Sequence, residues 1–186
     1  ATSLSACVQT APEEAMSFAA PPMQWDHHPQ AEEWTESTLV ALSTKDPILS
    51  EHVPADIESW CPGYAEAPVE ERRAFWAGLL SAVARYESTW NPAASGGGGR
   101  WIGLMQISPR SAANYGCEAT SVNALKDGEQ NLECAVEIMS TQVAKDGMVA
   151  GGGNRGIGRD WAPLRSSEKR AAMAAWTREQ PYCQAG

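Results

Sequence analysis

A chain of 186 residues, 43% of them apolar and eight of them tryptophan, is long enough to bury the core of one domain. No stretch approaches the ~18 apolar residues that a helical membrane span needs. The net charge of −9 is unevenly placed: residues 1–71 hold 13 acids and one base, Lys45, while residues 72–186 hold 10 acids and 13 bases, giving −12 and +3. A body at +3 suits an anionic polymer substrate but is too weakly basic to imply nucleic acid.

Residues 1–30 mix alanine, proline and acids without periodicity and read as a flexible acidic leader or tether, leaving 31–186 as the domain. Cys7 ends the run Leu4-Ser5-Ala6-Cys7, which resembles the bacterial lipoprotein processing box. Cys7 is therefore a candidate lipidation site and membrane tether, with an ordinary tail cysteine as the alternative. His27 and His28 are adjacent and cannot share a helix face, and His52 is the only other histidine, so no metal site is expected.

Ala31–Ser43 has the pattern of a short amphipathic helix, followed by a linker ending at Cys61-Pro62-Gly63. The main helix opens near Pro68, with Glu70 and Glu71 in its first turn, and must stop before Asn91-Pro92. Its core stripe is Phe75, Leu79, Leu80, Val83, Tyr86 and Trp90. After a glycine-rich loop, Trp101–Ser108 is a short apolar run, either a strand or an extended turn. A short helix opens at Ser108-Pro109, a long one near Asp127 with Leu132, Ala135, Val136, Met139 and Val143 inside, and a last one spans the 166–179 region. The fold class is all-α or mainly α. Gly151–Gly156 satisfies GxGxxG but follows a helix and lacks any βαβ context, so a flexible loop is expected there rather than a nucleotide site.

Four of the five cysteines lie in the body and match no zinc or redox spacing. Of the three connectivities they allow, Cys117–Cys134, closing a short loop, and Cys61–Cys183, tying the two ends, are favoured. Two disulfides place the protein in an oxidising compartment.

Glu87 sits four residues after Val83 and seven after Leu80, so it ends the apolar stripe of the main helix. Desolvation and the negative end of the helix macrodipole both oppose its ionisation and should raise its pKa. A carboxylic acid still protonated near neutrality is what a general acid for glycosidic cleavage requires. The competing reading is a boundary glutamate that turns to solvent or pairs with Arg85 or Arg100.

The neighbours favour the first reading. Glu87-Ser88, Trp90, Asn91-Pro92, Gly103-Leu104-Met105-Gln106 and Pro109, in that order and spacing, resemble the catalytic domain of soluble lytic transglycosylases, relatives of goose-type lysozyme. The helix carrying Asn131 extends the resemblance, which covers roughly Phe75 to Lys145. It implies a lysozyme-like fold and a single general acid/base, Glu87. That residue would protonate the oxygen between N-acetylmuramic acid and N-acetylglucosamine, then deprotonate the muramyl 6-hydroxyl to close a 1,6-anhydro ring. By the same resemblance Ser95 would contact an N-acetyl group, Gln106 would hydrogen-bond the glycan, and Asn131 would orient Glu87 or the sugar. Tyr115 would line the cleft or pack under it, and Met105 belongs to the core. No cofactor is implied.

Two departures stand out. Ser108 occupies a position that the family usually fills with an apolar side chain. The family's Ala-Tyr-Asn-Ala-Gly segment, whose tyrosine faces the catalytic glutamate, is replaced by Gly156–Arg165. Within that segment Trp161 either supplies the aromatic wall or belongs to the core, and Asp160 is a second carboxylate. Facing Glu87, Asp160 would permit hydrolysis, which needs a second carboxylate ~5–9.5 Å away. The expectation is thus a monomeric, periplasmic or exported enzyme acting on peptidoglycan strands by lytic transglycosylation. The alternatives are a hydrolytic muramidase, a non-catalytic wall-binding module and the same chemistry delivered as an antibacterial effector.

Overall fold

The computed structural model describes residues 20–45 and 48–184. The architecture is mainly α, with a two-stranded antiparallel hairpin. In chain order the elements are α1 (Ala31–Thr44), α2 (Ile48–Glu51), α3 (Val69–Ser88), β1 (Ser95–Gly96), β2 (Trp101–Ile102), α4 (Pro109–Tyr115), α5 (Val122–Leu125), α6 (Gly128–Asp146) and α7 (Ser167–Arg178). Single 3-10 turns occupy Ile57–Ser59, Gly156–Arg159, Ala162–Arg165 and Pro181–Cys183. None of the described helices is long and apolar enough to cross a membrane.

The centre of the molecule is α3, buried on every side from Ala74 to Ala84. A helix apolar all round has no solvent face to offer, so its neighbours must surround it. Its small residues set how closely they come: the Tyr182 hydroxyl lies where a side chain at Gly78 would be. Around it pack α2, α7 and the C-terminal turn, while α1 lies across both α3 and α6. The helix starts follow ordinary capping chemistry. Ser108, Ser121, Asp127 and Ser166 each accept a backbone N–H at the start of α4, α5, α6 and α7.

Both favoured disulfides form. Cys117–Cys134 closes a separation of 17 residues and Cys61–Cys183 one of 122. In the chain-entropy model they stabilise by about 3 and about 4–5 kcal/mol. They fit a location outside the cytoplasm.

Three expectations need correction. The leader does not extend to residue 30: Met23 and Trp25 are core residues, the Gln24 N–H donates to Ser81 Oγ at 2.9 Å, and the Tyr182 hydroxyl donates to the Pro22 carbonyl at 3.1 Å. Two apolar side chains among prolines were too few to register as a pattern, yet they close the core over α3. Cys7 lies outside the described residues. The linker expected to end at Cys61-Pro62-Gly63 is not loose either, since Ile57 and Trp60 within it are buried. Finally, the glycine-rich segment after α6 is pinned rather than loose. The Asp56 carboxylate accepts the N–H groups of Val149, Ala150 and Gly151, and Asp146 accepts that of Gly156 while pairing with Arg159. That pairing with Arg159, together with the Gly156 N–H, holds the Asp146 carboxyl at about 2.

Candidate active site

Glu87 is the penultimate residue of α3, and the chain turns sharply just beyond it. Thr89 and Trp90 both adopt left-handed backbone, at φ 52° and 56°, a costly arrangement for two consecutive non-glycine residues. It is held from both sides of the turn. The Trp90 indole N–H donates back to the Ser81 carbonyl at 2.9 Å, and the Asn91 side chain accepts the Ala93 N–H at 3.0 Å. Helix α3 therefore stops with Glu87 fixed at its rim.

From Asn91 the chain enters the hairpin, where Ser95 pairs with Ile102 and Gly96 with Trp101. A tight turn, Gly103–Gln106, returns it so that Ile102 and Ile107 exchange hydrogen bonds of 2.9 and 3.1 Å. The run Trp101–Ser108 is thus both strand and turn. Asn131 anchors it from below: its carbonyl accepts the Met105 N–H at 2.9 Å, and its amide donates to the carbonyls of Ile102 (3.1 Å) and Leu125 (2.8 Å). Gly103, at φ 78°, has to be glycine, because a Cβ there would run into the Leu125 carbonyl and the Asn131 amide.

This arrangement corrects the expectation for Asn131. It is fully buried and all its polar atoms serve backbone groups, so it holds the turn instead of touching sugar or Glu87. Gln106 follows at φ 50° with its amide donating to Gly103 at 3.0 Å and its side-chain oxygen lying against Gly96. Ser95 is exposed on β1. Met105 is core, as expected.

Trp161 is core too, at 3% exposure, with its indole N–H donating to the Met105 carbonyl at 3.0 Å. It buttresses the Gly103–Gln106 turn from behind and does not present an aromatic face. Tyr115 is half-buried and its hydroxyl donates to Asp160, 3.0 and 3.1 Å from the two carboxylate oxygens. The Gln142 amide donates to both the Tyr115 hydroxyl and Asp160, each at 2.6 Å. Asp160 is thereby engaged as a strut linking α4, α6 and the Gly156–Arg165 segment.

Glu87 has different surroundings. No described residue forms a hydrogen bond or ion pair with its carboxylate, neither Arg85 nor Arg100 included. Arg85 lies instead over the Tyr86 ring, 5.7 Å from its centroid. Burial pushes Glu87 up to about 7, against the opposing pull of Lys169 and Arg165. No carboxylate is among the charges acting on it. The two cations were invisible in the sequence, because a lysine in the first turn of α7 and an arginine at the end of a 3-10 turn carry no motif. Chain connectivity brings the parts together: Gly156–Arg165 touches the hairpin turn through Trp161 and reaches Glu87 through Arg165.

The family model described as the transglycosylase SLT domain matches residues 67–175, from just before α3 into α7. The chain belongs to the transglycosylase SLT domain family. Glu87, the hairpin turn and the Asn131 helix all fall within the matched SLT region. The likeness to solved structures extends further along the chain. Bd0314 DslA in its wild-type form 2, and two glutamate-to-glutamine mutants of it, superpose with TM-scores of 0.81, 0.82 and 0.80. Each is 28% identical and covers 90% of this chain and 100% of its own. No curated protein matches.

Proposed function

We propose that this SLT domain is a lytic transglycosylase that cleaves the β-1,4 bond between N-acetylmuramic acid and N-acetylglucosamine in peptidoglycan. The observation that carries this reading is the isolation of Glu87: desolvated, without a hydrogen-bond partner among the described residues, and pushed up to about 7. A carboxyl in that state is protonated often enough near neutrality to donate to the glycosidic oxygen. Once ionised, it is the base that takes the proton from the muramyl 6-hydroxyl, and that oxygen attacks the anomeric carbon to close the 1,6-anhydro ring. One group serves both steps because the nucleophile belongs to the substrate. Hydrolysis would require a second carboxylate to activate water or attack the sugar. Asp160, the carboxylate best placed in sequence for that role, is occupied by Tyr115 and Gln142.

Gln106 and Ser95, on the hairpin beside the helix end, are the glycan contacts of this reading. The strained backbone at Gln106 is what a side chain held for a ligand shows. The enzyme then works as a monomer without a cofactor, in the periplasm or exported, where its disulfides persist. Incubation with purified peptidoglycan, beside a Glu87→Gln control, tests the reading by the mass of the soluble products. Anhydromuramic ends from the wild type alone are expected. Hydrated reducing ends would make the protein a muramidase, and release of neither would leave a wall-binding module.

A further inference from the structure

Two cations beside a general acid work against it. Lys169 and Arg165 favour the ionised form of Glu87, which is the wrong form for the first proton transfer. Neither has an acidic partner within 4.0 Å among the described residues, in contrast to Arg159, which pairs with Asp146. Both are nevertheless held in place. The Lys169 ammonium stands over the Tyr86 ring, 5.4 Å from its centroid, with the Arg85 guanidinium 5.7 Å from the same ring. Arg165 donates from Nε to the Gly158 carbonyl at 3.0 Å and from a terminal nitrogen to the Arg159 carbonyl at 2.5 Å. Those bonds fix the guanidinium and leave its remaining N–H groups for a ligand. All three side chains are exposed.

We propose that Lys169 and Arg165 form a carboxylate-binding subsite next to Glu87, which reads an anionic substituent of the glycan at the scissile bond. The assignment rests on the peptidoglycan reading above. Muramic acid offers the carboxylate from two sources: the free lactyl group of a peptide-stripped strand, or the acidic residues of an attached stem peptide. A planar carboxylate matches the fork of Arg165, and the Lys169 ammonium adds a point charge beside it. Pairing them with substrate has a consequence for catalysis. Once their charge is answered by the ligand, their hold on the ionised form of Glu87 is relaxed, so the acid becomes better protonated when the correct strand is bound.

Glu87→Gln protein, which binds without turnover, provides the test by calorimetry with three oligosaccharides: peptide-free muroglycan, the same glycan with its lactyl carboxylates converted to methylamides, and a peptide-bearing glycan. The free acid should bind about tenfold more tightly than the methylamide. Adding Lys169→Gln, an exposed position whose loss leaves the fold intact, should reduce that preference to about threefold, and adding Arg165→Gln should abolish it. Lys169→Arg should retain it. Tighter binding of the free acid than of its methylamide identifies the lactyl group as the source; equal binding of those two, with the peptide-bearing glycan tighter, identifies the stem peptide. Equal binding of all three glycans, or a preference that survives loss of both cations, overturns the subsite while leaving the peptidoglycan reading intact. Failure of every glycan to bind overturns both.

Discussion

Two carboxylates, Glu87 and Asp160, have surroundings that make them different chemical objects. Glu87 ends a buried helix with no hydrogen-bond partner among the described residues and is pushed up to about 7. Asp160, exposed on the replaced segment, accepts from Tyr115 and Gln142. Desolvation without compensation produces a proton donor, whereas satisfied hydrogen bonds produce a strut. Residue type alone separates neither role; what packs around each group does.

The largest effect should come from removing the proposed donor. Glu87→Gln keeps the shape of the side chain and should lower product release by about 10³-fold or more, read from soluble muropeptides. Next comes the floor under the hairpin turn. Asn131→Ala removes three buried hydrogen bonds to backbone and should cost about 2–4 kcal/mol in urea denaturation, with loss of activity as Gln106 moves.

The pH dependence sharpens the contrast further. Because the folded pKa of Glu87 lies above its unfolded value, its contribution to stability is fully present below about 4.5 and is lost as pH rises through about 7. Glu87→Gln should therefore gain about 2 kcal/mol over the wild type at pH 8 while matching it at pH 4, a figure reduced for the partial exposure of the group. Wild-type kcat/KM should fall above pH 7. The smallest effect belongs to the other carboxylate. Asp160→Asn should cost no more than about threefold in turnover and about 1 kcal/mol in stability; a loss of about 10²-fold would instead assign Asp160 to the chemistry.

The part of the site that is local in sequence was legible there. A helix stop before Asn91-Pro92 and a serine or aspartate at a helix start leave their marks within a few residues, so the end of α3, the capped starts of α4 and α6 and the buried Met105 could be read directly. Positions decided by distant packing could not. The resemblance assigns Asn131 to orienting Glu87 or the sugar, but only the fold reveals that the Ile102 and Leu125 carbonyls take its amide. Trp161 turned inward for a similar reason, its indole N–H claimed by Met105. The same holds for Met23 and Trp25, which join the core from a stretch whose composition reads as a tether, and for Lys169, whose neighbour Tyr86 lies on another helix.

The central claim is that burial keeps Glu87 protonated near neutrality. Carbon-detected NMR of the protein labelled at the glutamate side-chain carboxyl, assigned through Glu87→Gln, follows that group directly as pH is changed. A midpoint near 7 is the expected result. A midpoint near 4.5, with the carboxylate ionised throughout the neutral range, would contradict the claim and remove the proton donor from the mechanism.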